Sequence, residues 1–168
     1  MGGTDSERDD IIEALRTHRA FLRTTVRGLT DEQATTRTTP SELTLAGLVK
    51  HVAITESQWV DFVLQGTSAM EVGPDEWAEH ENSFRLLDGE TLDGVLDLYE
   101  AVARRTDDLV RSLPDLDLSH ALPEAPWFAP GARRSARRVF LHVVGETAQH
   151  AGHADIIREA LDGQKTMG

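Results

Sequence analysis

The segment "GETAQHAGHAD", residues 145–155, together with His142 just upstream, gathers the side chains of this sequence best suited to chemistry. An α-helix advances about 100° per residue, so positions four apart differ by about 40° and positions seven apart by about 20° in the opposite sense. His142, Glu146, His150 and His153 then share one narrow stripe, which Ile157 continues in apolar form and which Val139 and Val143 flank. Such a stripe points toward a core rather than toward water. Burying imidazoles and a carboxylate is unfavourable unless they are paired or hold a metal ion. A hydrogen-bonded network would satisfy a lone histidine. A Glu-x-x-x-His pair with further histidines on its face favours a metal site, because residues at i and i+4 of one helix can both reach an ion between packed helices.

A first-row divalent ion needs at least one more ligand from elsewhere in the chain. His51 is the best candidate, since "LVKHVAI" surrounds it with Leu48, Val49, Val52 and Ile54 and turns it inward. His18, His80 and His120 sit among polar neighbours and are expected at the surface.

Four segments carry the helical periodicity needed to position these residues, and no strand-like alternation competes. The first spans about residues 5–27, with Ile11, Ile12, Leu15, Leu22 and Val26 as its stripe, Thr4 and Glu7 as a capping box and Gly28 as its stop. Thr30 and Gln33 offer a second capping box for a short turn of helix. The other long helices are expected at 44–65, closed by Gly66, at 91–113, opened by Thr91, and at 135–162, opened by Ser135 and closed by Gly163. Gly73 and Pro74 followed by Asp75 and Glu76 suggest a short helix within the connection 66–90. The expected fold is all-α: one four-helix-bundle domain over residues 1–168, whose long connections, 66–90 and 114–134, permit a crossover. "LPEAPWFAPGA" reads as a loop over one end of the bundle, where Trp127 and Phe128 either wall a pocket or plug the core.

The two histidine segments, "LAGLVKHVAITESQWV" and "LHVVGETAQHAGHADIIREALDG", resemble the DinB-like superfamily of metal-binding four-helix bundles, in particular its actinobacterial branch related to mycothiol-dependent transferases and maleylpyruvate isomerases. The lead-in "GLTDEQATTRTTPSELTLAGLVKH" fits the same branch, and the similarity extends over most of the chain. The resemblance implies that His51, Glu146 and His150 ligate the metal; many superfamily members have a histidine where this chain has Glu146, and the mycothiol-dependent branch has a glutamate. His153 falls where other members often have glutamine, which implies a substrate-side or supporting role, as proton carrier or hydrogen-bond partner. His142 is expected deeper in the bundle. A homodimer is also implied.

Two imidazoles and a carboxylate suit a catalytic zinc arrangement, three protein ligands with a position left open, and the same donors accept nickel or iron. A thiol entering that position would lose its proton and become the reactive thiolate. The sequence has no cysteine, so the thiol must come from outside. The resemblance makes it mycothiol, added to an electrophile or used for isomerisation. Water in its place would give a metal-dependent hydrolase with His153 as base, and a metal-binding, stress-associated protein without turnover would keep the same ligands. Arg23 and Arg158 are candidate anchors for polar groups of the thiol, with surface ion pairs as the plainer use.

Composition narrows the partners. With 29 acidic against 17 basic side chains the formal charge is −12, which repels a phosphate backbone and argues against nucleic-acid binding. The basic run "ARRSARR", with Arg133, Arg134, Arg137 and Arg138, could bind an anion, or serve as a solvated helix entrance and a partner for the chain's own carboxylates. No run approaches the roughly 20 apolar residues of a membrane span. The acidic start lacks the layout of a secretory signal, and a cytoplasmic location is expected.

Overall fold

The computed structural model describes the backbone of residues 3–70 and 76–166, with side chains over 6–70 and 78–166. Its elements are α1 (Gly3–Thr25), α2 (Asp31–Thr35), α3 (Leu45–Gln65) running into a 3₁₀ turn (Gly66–Met70), α4 (Glu76–Ser83), α5 (Leu92–Ser112), β1 (Ser119–Ala121), β2 (Arg133–Ser135) and α6 (Ala136–Asp162). The long helices begin where a hydroxyl can take up an orphan backbone N–H. Thr44 accepts from Gly47, Thr91 from Gly94 and Ser135 from Arg138. Gly66 and Gly163, at φ 79° and 80°, end α3 and α6 in a backbone region closed to most side chains. Thr30 and Gln33 form the reciprocal capping box at α2. The box expected at Thr4, and residues Gly73–Asp75 ahead of α4, lie outside the described residues.

The fold is the all-α bundle expected, of DinB-like type, with one small addition. Strands β1 and β2 pair antiparallel, His120 opposite Arg134, and close the base of the 121–133 loop. They are too short for alternation to have marked them. The four long helices pack in the ring α1–α6–α3–α5, so the connections 26–44 and 113–135 cross diagonally, whereas 66–90 joins the neighbours α3 and α5.

Among the described residues the bundle interior forms two apolar clusters. The first holds Leu15, Trp59, Phe62, Val110 and Phe140; the second holds Leu22, Leu48, Val52, Tyr99 and Ile157. Each helix passes from one cluster to the other at a buried polar side chain: Arg19 on α1, Glu56 on α3, Thr106 on α5 and Thr147 on α6. Arg19 donates to both Glu56 oxygens, at 2.5 and 3.2 Å, and to Asp107 at 2.8 Å, while Thr106 donates to Glu56 at 2.5 Å. Such charges tolerate burial because each donor and acceptor is answered. The candidate site lies at this polar level.

Candidate metal centre

His51 and Glu146–His150 come from α3 and α6, neighbours in the ring. One donor atom from each of the three residues lies within 4.8 Å of the other two. Glu146 Oε1 is 3.1 Å from His150 Nε2 and 3.4 Å from His51 Nε2. These spacings suit a first-row ion with ligand bonds near 2.0–2.2 Å. Both histidines are buried and Glu146 is half-buried.

The orientation of His51 is set by the chain after α4. A Cβ at Gly47 would sit 1.8 Å from the Phe84 carbonyl oxygen, so only glycine lets this segment lie against α3. That approach stacks Phe84 on the His51 ring, 3.8 Å between centres and 16° between planes, and sets Ser83 beside its other edge. Ser83 donates its hydroxyl proton to the His80 carbonyl at 2.6 Å and can only accept from His51 Nδ1, at 2.9 Å. His51 is thereby fixed with its proton on Nδ1 and its Nε2 lone pair facing the Glu146 carboxylate. Two acceptors face each other across 3.4 Å. That pairing is repulsive unless a cation lies between them, and the donor set therefore fits a divalent ion.

Hydrogen bonding to His150 holds the Glu146 carboxyl far below the usual range, against the opposing effect of burial. Burial pushes His51 below its ordinary value, keeping the ring neutral and able to ligate. His153 approaches from the other side of His150, Nδ1 to Nδ1 at 3.3 Å.

A cavity of about 580 Å³ opens beside His51 between α3, α4 and the 121–133 loop, lined by Lys50, Thr55, Gln58, His80 and Trp127 among others. Lys50 is held at the wall by the Arg85 carbonyl and Glu90, at 3.0 and 2.6 Å. Both readings of the aromatic pair hold, one for each residue: Trp127 is exposed and walls the cavity, while Phe128 packs on the core. His80 is exposed as expected, yet its ring is 5.6 Å from that of His51 at the cavity wall. His142 is half-buried against Trp59, 4.8 Å between ring centres, and lies less deep than His150. Arg158 is neither a surface pair nor an anchor, because it is buried, donating to the carbonyls of Thr25 and Arg27 and to Asp162. Arg23 pairs with Glu100. Ser83, Phe84, Arg19 and Glu56 escaped the sequence reading. Glu56 and Arg19 had a detectable signal, each standing on the apolar stripe of its helix; Ser83 and Phe84 had none, since only the docking of α4 brings them to His51.

The sequence model of the mycothiol S-transferase family matches residues 10–163. The chain belongs to that family. As a mycothiol S-transferase family member it has the fold of the DinB-like superfamily. A crystal structure of a conserved protein from Enterococcus faecalis superposes with a TM-score of 0.62 over 98% of this chain and 99% of that one at 15% identity, a likeness of fold alone. No curated protein matches the family member. Among the described residues no helix is long and apolar enough to cross a membrane.

Proposed function

We propose that the chain is a metal-dependent thiol S-transferase that takes mycothiol as its external thiol and joins it to an electrophile. The observation that carries this reading is the convergence of His51 Nε2, Glu146 and His150 beside an open cavity, in a chain without cysteine. These three residues would hold a divalent ion, zinc by donor type, with nickel and iron compatible. Such an ion supplies the positive charge that makes a thiol acidic enough to react as thiolate.

The chain's own residues do the rest. Ser83 and Phe84 hold the His51 ring in one orientation. With Nε2 of His150 given to an ion, its Nδ1 carries the proton and donates to His153 Nδ1, which leaves His153 Nε2–H as a donor. Of the two roles considered for His153, hydrogen-bond partner is the better supported. Trp127 and His80 flank the route by which thiol and electrophile enter. The proposal includes a cytoplasmic location, where small thiols stay reduced, and a homodimer, which rests on the family resemblance alone.

The test is isothermal titration of mycothiol, with glutathione as control, into protein whose metal content is fixed by elemental analysis. Selective mycothiol binding that disappears when the metal is removed is expected. Absence of thiol binding at a fully occupied site would bring hydrolysis or a non-catalytic metal role forward.

A further inference from the structure

The basic run at 133–138 takes no part in the centre described above, and its arginines have separate fates. Arg137 pairs with Glu7 at 2.5 Å and with Asp117, Arg133 donates to the Ser119 carbonyl at 2.7 Å, and Arg138 is exposed. Arg134 differs from all three. Its guanidinium carbon lies 4.8 Å from the centre of the Trp59 ring and 5.6 Å from that of Phe128. Its Nη1 is buried with no hydrogen-bond partner among the described residues, and no described carboxylate pairs with it.

Stacking engages the face of a guanidinium and leaves its edge donors free for a planar acceptor. A buried donor left unanswered is unfavourable, so an arrangement that keeps one suits an acceptor that comes and goes. The position joins the candidate site. Trp59 touches His142, which stands about one helical turn, roughly 6 Å, before Glu146 on α6. Phe128 packs against the cavity-wall residue Trp127, 6.2 Å between ring centres. Burial and the neighbouring Arg138 lower the pKa of Arg134, which makes a negative partner the more welcome. In a chain of formal charge −12 this is a local reversal of sign, placed where a small anion would otherwise be repelled.

We propose that Arg134 is the anchor for the carboxylate of an acidic electrophile, so that the acceptor of the transferase is a carboxylate-bearing small molecule. This rests on the transferase reading above, but its test does not. Binding of 3,5-dinitrobenzoate and of the uncharged 1,3-dinitrobenzene to the full chain, stripped of metal, is measured by tryptophan fluorescence and calorimetry. The benzoate is expected to bind at least about 10-fold more tightly, with the advantage lost in Arg134→Gln and kept in part in Arg134→Lys. Equal binding of the two probes by the unsubstituted chain, a comparison that needs no variant to fold, would overturn the proposal. So would full benzoate affinity in Arg134→Gln. In metal-loaded protein, Arg134→Gln should leave mycothiol binding unchanged; its loss would assign the guanidinium to the thiol and overturn the acceptor assignment. Failure of mycothiol to bind at all, with the benzoate preference intact, would sink the transferase reading and spare the carboxylate site.

Discussion

Substituting Ser83 by alanine tests how the candidate centre is oriented without touching a ligand. The side chain makes one hydrogen bond to His51, at 2.9 Å, and its own proton is taken up by the His80 carbonyl. Losing a neutral hydrogen bond of this kind costs about 1 kcal/mol. A neutral imidazole freed from it divides between two tautomers, of which one presents Nε2 as a ligand, a further factor of about two. Together these weaken metal binding about 10-fold, at the lower end of the 10- to 100-fold typical when a ligand's supporting hydrogen bond is removed. The assay is competition for zinc against a chelator of known affinity, with helical content followed by circular dichroism. The aromatic stacking of Phe84 should keep the ring in place, so helicity and stoichiometry stay unchanged while affinity falls. A dissociation constant within about twofold of the parent would refute the reasoning, since Ser83 would then not be setting the tautomer.

Glu146→Gln removes the only anion of the donor set and should weaken metal binding more than Ser83→Ala does; unchanged affinity would instead make His153 the third ligand. Arg19→Met strands the buried Glu56 carboxylate, while Asp107 keeps Arg16, and should lower the free energy of unfolding by about 3–5 kcal/mol in urea titrations, with a loss below about 1 kcal/mol counting against the buried network. Stability of the metal-free protein should fall with falling pH. Burial lowers His51 and His142 relative to the unfolded chain, which therefore takes up more protons below about pH 6.5, and the depressed Glu146 adds stability that is lost as the carboxyl is protonated at lower pH. Urea midpoints measured from pH 7 to pH 5 should decline, and a level profile would contradict this assignment.

The helices were legible because their ends carry chemistry that works locally. Thr91, Ser135, Gly66 and Gly163 mark boundaries the structure keeps, and the histidine stripe of α6 follows from helical geometry alone. What escaped depended on distant partners. Arg19 stands four residues after Leu15 and three before Leu22, on the buried stripe, where a long cation reads equally well as one reaching out to water. Its partners Glu56 and Asp107 lie 37 and 88 positions away. Arg158 likewise looked like a surface residue, because the carbonyls it holds belong to the end of α1. Ser83 and His80 sit on a short helix without strong periodicity, and their relation to His51 exists only once that helix is docked against Gly47.

The separation of the interior at Arg19, Glu56, Thr106 and Thr147 has a consequence for how the molecule can breathe and change. Arg19, Glu56 and Thr106 at the waist are matched to one another by charge and hydrogen bond, so they tolerate little replacement, whereas each apolar lobe can be repacked independently of the other. The ligand-bearing turn of α6 lies at the junction, so loosening there to admit a guest leaves two intact hydrophobic anchors, one on either side. Amide exchange should accordingly be fastest in the middle of α6 and slowest at Phe140 and Ile157, the inverse of a helix that frays from its ends.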